Sequence, residues 1–305
     1  MHLMMWSVAL LIVVAVVVAV VTKPSRTHIP NNPITRVEVD DLGQAFVLHA
    51  LPHRAADHTT ADAVVRVPDS FDATEPIHLI VYNHGFYTNV EDGYRDMRLA
   101  EQMTNAPPNS ILFLPEWQKR PSAASSDQGL FKQKGVFAGM VQDAFDRIPA
   151  LKGMTLDQVN SISILSHSAG YNPAETMLYR NGIESKIVNV TLLDALYDHD
   201  GFNQWLEDNI QSVADGQKRF YNIFYGTSKY SKDQAAYIKR LLSNAGLPAT
   251  IVYEDYNSGE TVMTAPEFAQ HSVVFKYSSK RVDDLEPHFS IPNLYVEPVV
   301  HSEKR

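Results

Sequence analysis

Beyond residue 33 the chain alternates between two hydrophobic rhythms. Short apolar runs of strand length recur at 35–41, 44–51, 63–68, 77–85, 110–115, 161–165, 187–193, 220–226 and 250–256, and "HSVVFKYS" at 271–278 reads as another. Gly, Pro, Asn and Asp bound most of them, the residues that interrupt periodic structure. Between them, 92–103, 136–148, 169–182, 201–213 and 231–246 carry apolar residues at helical spacing. In 136–148, for example, Val136, Met140, Val141, Ala144, Phe145 and Ile148 fall on one face, as a helix packed on a core requires. Pro173 suits only the first turn of its helix, and Asn181-Gly182 is a stop signal. The first two strands read as a hairpin around Leu42-Gly43. After them strand and helix alternate, and the strands are almost continuously apolar. This predicts an α/β fold with a mainly parallel central sheet covered by helices on both faces. No internal repeat and no second domain interrupts it. Right-handed crossovers then gather the functional loops at the carboxyl ends of the strands.

The amino-terminal stretch follows a different pattern. Residues 3–21, "LMMWSVALLIVVAVVVAVV", are apolar apart from Ser7. At about 1.5 Å per residue this helix nearly spans a hydrocarbon core roughly 30 Å thick. The expected organisation is a transmembrane anchor or signal segment at 1–22, a Pro- and Asn-broken linker at 23–33, and one domain at 34–305. No Lys or Arg precedes the apolar run and no small-x-small site ends it, which favours a retained single span. Secretion after signal cleavage is the alternative. Lys23 and Arg26 lean toward a cytoplasmic domain, but two charges leave the side of the membrane open.

Composition narrows the chemistry. The sequence carries 26 basic and 35 acidic residues, a net charge of −9, and no cysteine. The balance disfavours a nucleic-acid partner. The absence of cysteine excludes disulfides, thiol nucleophiles and Cys-bound zinc. His49, His53 and His58 straddle a strand and a loop with no matching carboxylate pattern, so no metal site is expected there. No Gly-rich phosphate loop or dinucleotide fingerprint is present, and no cofactor is implied.

The segment "SILSHSAG", 163–170, carries the sharpest chemical signal. A strand ends there and a helix begins. Ser168 stands at the junction, with small residues Ser166 and Gly170 two positions to either side. A tight strand-to-helix turn brings those flanking positions together and lifts the central side chain clear. The pattern differs from Gly-x-Ser-x-Gly by Ser166 alone. A serine nucleophile also needs donors for an oxyanion. "VYNHGFYTN", 81–89, ends an earlier strand in His84-Gly85-Phe86, where Gly85 allows a turn that aims the Phe86 N–H at the site. The Ala169 N–H is the second donor. Tyr171, Glu116 and Trp117 line the pocket or simply pack, and His167 is expected to point away from Ser168.

With these motifs in order, the chain resembles the α/β-hydrolase superfamily over essentially 35–300. The resemblance implies a sheet of about eight strands, an acid and a histidine following Ser168, and a hydrolytic activity. The superfamily most often places the acid after the second strand beyond the elbow, but "TSKYSKDQ" offers no carboxylate at that turn, and Asp233 already lies in the next helix. Asp194, directly after 187–193, is the expected acid, with Asp198 and Asp200 solvated or capping. The base is His288, in a loop kept irregular by Pro287 and Pro292, with His271 as the alternative. The expected activity is a serine hydrolase that cleaves an ester or amide of a small-molecule or lipid-like acyl substrate through an acyl-enzyme. The alternative is a noncatalytic binding or scaffold protein that keeps the fold, suggested by Ser166 and the missing acid at the usual strand.

Overall fold

A computed structural model describes residues 34–40, 43–56, 60–119 and 128–303. The apolar run at 3–21, the linker at 23–33, Leu42 in the hairpin turn and His58 lie outside the described residues. Among the described residues no helix is long and apolar enough to cross a membrane.

All the predicted strand segments form one sheet. In chain order the strands are β1 (Ile34–Asp40), β2 (Gly43–Leu48), β3 (Ala63–Pro68), β4 (Ile77–Asn83), β5 (Ser110–Pro115), β6 (Val159–His167), β7 (Ile187–Leu193), β8 (Arg219–Phe224), β9 (Val252–Asp255) and β10 (Val273–Tyr277). Their spatial order is β1-β2-β3-β5-β4-β6-β7-β8-β10-β9. Among the described residues the sheet therefore has ten strands, where the resemblance implies about eight. β1, β2, β3 and β5 pair antiparallel, and every pairing from β5 to β9 is parallel.

Side chains of the central strands alternate between two cores, as the period of two requires. Leu79, Val81, Ile111 and Phe113 face one core, while Ile80, Tyr82, Leu112 and Leu114 face the other. The first core is closed by helices α3 (Val136–Arg147), α4 (Tyr171–Arg180), α5 (Asp200–Ala214) and α6 (Ser228–Asn244). The second is closed by α1 (Val90–Asp96), α2 (Leu99–Gln102), α7 (Ala265–Ala269) and α8 (Pro287–His301).

Two local expectations differ from the structure. The single helix read at 92–103 is two short helices, because Arg98 adopts a left-handed conformation with φ 50° between them. The irregular loop expected around Pro287 and Pro292 is the start of α8. Pro287 fits the first turn, where an N–H has no intrahelical acceptor. Pro292 and Pro298 sit inside the helix. Their cost is offset by burial of Ile291, Tyr295, Val296, Val299 and Val300 against the second core.

Candidate active site

Four of the strand ends on the parallel side of the sheet converge. β6 ends at His167, and a single 3-10 turn over Ser168–Gly170 leads into α4. Ser168 has φ 52°, a left-handed conformation costly for a residue with a side chain. Gly170 permits the turn: a Cβ there would lie 2.4 Å from the Asn83 carbonyl oxygen. Ser166 takes the other flanking position because its hydroxyl is wholly buried and accepts from Asn83 Nδ2 at 3.1 Å.

Asp194 follows β7 directly, also in the left-handed region at φ 47°. Its side chain is 1 % exposed, and its Oδ2 lies 2.7 Å from Nδ1 of His288. The turn after β8 supplies no carboxylate; it supplies donors. Its backbone N–H groups at Tyr225, Gly226 and Thr227 donate to Asp194 Oδ1 at 2.9, 3.0 and 3.3 Å, and the Thr227 hydroxyl adds a bond of 3.2 Å. Burial alone would raise the Asp194 pKa. The His288 bond and the Tyr225 and Gly226 N–H groups outweigh it and hold the carboxyl below its ordinary range. The acceptor carboxylate fixes the proton of His288 on Nδ1, leaving Nε2 to accept.

His288 is the second residue of α8 and its side chain is 24 % exposed, enough to meet a ligand. His271 precedes β10, at the amino edge of the parallel strands, and its ring packs on Tyr253 at 4.8 Å. The structure brings His288 to Asp194, and it leaves His271 at the opposite edge from Ser168.

Phe86, Ser168, Ala169, Tyr171 and Tyr197 line a pocket of about 280 Å³. The turn that carries Phe86 is rigidly held. His84 and Glu116, each 1 % exposed, pair at 3.1 Å. Burial alone would lower the His84 pKa, but the Glu116 charge and hydrogen bond raise it above the ordinary histidine value. The Trp117 indole donates to the His84 carbonyl at 3.1 Å, and Gln118 Nε2 donates to Gly85 O at 3.3 Å. Glu116 and Trp117 thus pack beneath the turn, and Tyr171 alone of the three uncertain side chains lines the pocket. Gly85 keeps this approach close: a Cβ would sit 3.2 Å from His167 Nδ1 and 3.3 Å from Ser168 Cβ, tighter than ordinary contact.

The sequence reading missed Tyr197, the His84–Glu116 pair and the donors at 225–227. Tyr197 lies only three residues beyond Asp194, and that proximity was the available signal. Of the three histidines considered for metal, His53 pairs with Asp143 at 3.1 Å. Asp198 accepts from the His199 N–H at 2.6 Å, just ahead of α5.

No protein-family model and no curated protein matches the sequence. Solved structures do. The feruloyl esterase module from Clostridium thermocellum, a mutant complexed with sinapinate, is 11 % identical, with 87 % of this chain and 89 % of that one covered, at TM-score 0.52. A structure described as FAE is 12 % identical over 88 % and 91 %, at TM-score 0.50. An S-formylglutathione hydrolase from Agrobacterium tumefaciens is 12 % identical over 90 % and 99 %, at TM-score 0.49. With the sheet order and the strand-end elbow described above, the likenesses to the feruloyl esterase module and to FAE show that the chain has the α/β-hydrolase fold.

Proposed function

We propose that the protein is a serine hydrolase acting through an acyl-enzyme. The observation that carries this is the buried Asp194 carboxylate bound to His288 Nδ1 at 2.7 Å, at the same strand-end edge as a serine held at φ 52° in a pocket. Ser168 Oγ attacks the substrate carbonyl carbon, and its proton passes to His288 Nε2. Asp194 stabilises the imidazolium that forms and keeps its orientation. The Phe86 and Ala169 N–H groups hold the oxyanion. As the tetrahedral intermediate collapses, His288 gives the proton to the leaving group. Water then attacks the acyl-serine, its proton taken by His288; as the second tetrahedral intermediate collapses, His288 gives that proton to Ser168 Oγ and the acid departs. No cofactor enters any step. The likeness to a feruloyl esterase module supports an ester as the bond cleaved. The pocket, of small-molecule size and lined by Phe86, Tyr171 and Tyr197, suits an uncharged acyl group.

We further place the domain at a membrane, held by the apolar run at 3–21 as a single span, with secretion after cleavage as the other outcome. Fluorophosphonate labelling tests the chemistry. The label is expected on the Ser168 peptide and lost in Ser168→Ala; retention of the label in that variant overturns the assignment. Full-length protein should sediment with membranes while a chain starting near residue 30 stays in solution. Recovery of cleaved, free protein would select secretion.

A further inference from the structure

His167 is buried and makes contacts that tie three parts of the site together. Its Nε2 lies 3.0 Å from the main-chain oxygen of His288. A carbonyl only accepts, so Nε2 carries the hydrogen and Nδ1 is bare. That bare nitrogen faces Gly85 in the turn before Phe86. The His167 ring packs on the His288 ring at a centroid distance of 4.7 Å, tilted by 39°, and on Phe289 at 6.1 Å. Burial, reinforced by His288 itself, depresses the His167 pKa to about 3, so the ring is neutral at ordinary pH.

The carbonyl that His167 binds is free for a reason written in the sequence. In an α-helix the oxygen of residue 288 would accept from the N–H of residue 292. Residue 292 is proline and has no N–H to give. Pro292 therefore opens one main-chain acceptor in the first turns of α8, on the very residue that faces Asp194, and the side chain next to the nucleophile fills it.

We propose that His167 is a positioning residue: its Nε2–H bond to the His288 carbonyl, made available by Pro292, fixes the base-bearing helix on the nucleophile elbow. The inference rests on the hydrolase reading above. Ser168 and His167 are consecutive, so strand β6 becomes the common reference for nucleophile and base. A bond that only satisfied a buried acceptor would stabilise the fold without this consequence.

A double-mutant cycle separates the two roles. His167→Phe keeps a ring and removes the donor. With a small aryl ester, kcat should fall roughly 10- to 100-fold, the loss expected of about 1 Å of misplacement, with KM little changed. His167→Gln, which retains a donor at similar reach, should recover most of kcat. Adding Pro292→Ala to His167→Phe returns an N–H to the His288 carbonyl from within the helix. The melting temperature should then recover while kcat does not. If kcat returns with the melting temperature, or if His167→Phe loses no activity, the positioning role is overturned. Should the Phe variant fail to fold, His167→Leu carries the same expectations. The low-field proton of His288 Nδ1–H, read by NMR, gives a measure independent of turnover. It should persist in His167→Gln and broaden or shift in His167→Phe; an unchanged resonance in the Phe variant counts against the proposal. If that resonance responds but even the wild type hydrolyses no ester and takes no phosphonate label, the hydrolase reading fails while the tie between His167 and the base stands.

Discussion

The two edges of the parallel sheet make opposite use of polar side chains. At the carboxyl edge, Ser168 and Asp194 are held in left-handed conformations around a pocket of about 280 Å³. At the amino edge a larger cavity, about 490 Å³, lies among His78, Asn160, Ser161, Asn189, Arg219 and Glu303. There the groups bind one another. Glu303 accepts from Ser163 Oγ at 2.7 Å and Asn189 Nδ2 at 2.5 Å, Arg219 donates to the Ser302 carbonyl at 3.0 Å, and His78 meets Ser161 at 2.5 Å. Cavity volume alone would favour the amino edge. Backbone strain together with a fixed histidine tautomer chooses the other, because strain survives only where surrounding structure enforces it.

Substitutions test this contrast, beginning with the most damaging. Ser168→Ala should lower turnover by roughly 10⁴- to 10⁶-fold, with His288→Ala comparable, since members of a catalytic unit fail together. Asp194→Asn should cost about 10⁴-fold through loss of tautomer control. His271→Ala, at the quiet edge, should stay within about twofold in the same assay. Equal losses from His271→Ala and His288→Ala would break the comparison.

Gly170→Ala should come next. Its Cβ would meet the Asn83 oxygen at 2.4 Å, and a backbone atom cannot yield as a side-chain end can. A destabilisation of about 1–3 kcal/mol is expected from such overpacking, read as a lowered denaturation midpoint together with lost activity. A variant as stable and active as the parent would show that the elbow is looser than its geometry indicates.

Stability against pH probes both limits of the carboxyl edge. The folded His84 pKa is raised, so the His84–Glu116 pair contributes fully below the ordinary histidine value of 6.5, and its contribution fades as pH rises through the higher folded value. On the acid side, His167 stays neutral down to about 3 while the unfolded chain binds its proton near 6.5, so stability falls as pH drops through that window. Asp194, its folded pKa lowered, adds a loss at lower pH as its carboxylate is protonated. Melting temperatures across pH should therefore peak between these limits. Glu116→Gln should flatten the alkaline limb, and His167→Gln the acid one. An unaltered alkaline limb in Glu116→Gln would remove the ion pair from the account.

The smallest effect belongs to the amino edge. Glu303→Gln should cost about 1–2 kcal/mol of stability through weakened hydrogen bonds, with kcat unchanged. A large loss of kcat would mean that the two edges are coupled.

Much of this was legible because strands and strand ends announce themselves. The apolar runs at 77–85, 110–115 and 187–193 correspond to β4, β5 and β7, and topology then placed Ser168 and Asp194 at one edge. What the sequence hid depends on contacts between distant segments. The turn after β8 looked deficient for lack of a carboxylate, yet its main-chain N–H groups serve Asp194, and main-chain donors leave no trace in residue identity. Pro292 was read as keeping a loop irregular. It lies within a helix because tertiary burial of Ile291, Tyr295 and Val296 outweighs local propensity. His167 was expected to point away from Ser168, with no partner named for it. Its packing on His288 was invisible until α8 was in place.

Helix α8 also gives the protein a sequence in time. It carries His288 in its first turn, and just past its other end Glu303 is latched to β6 and β7. Synthesis runs from the amino end, so the elbow, Asp194 and the turn that carries Phe86 all exist before His288 is made. Until α8 docks, the buried Asp194 carboxylate lacks the imidazole it binds in the finished fold. On the proposed mechanism, a chain made only as far as β10 carries a strained serine that cannot yet react.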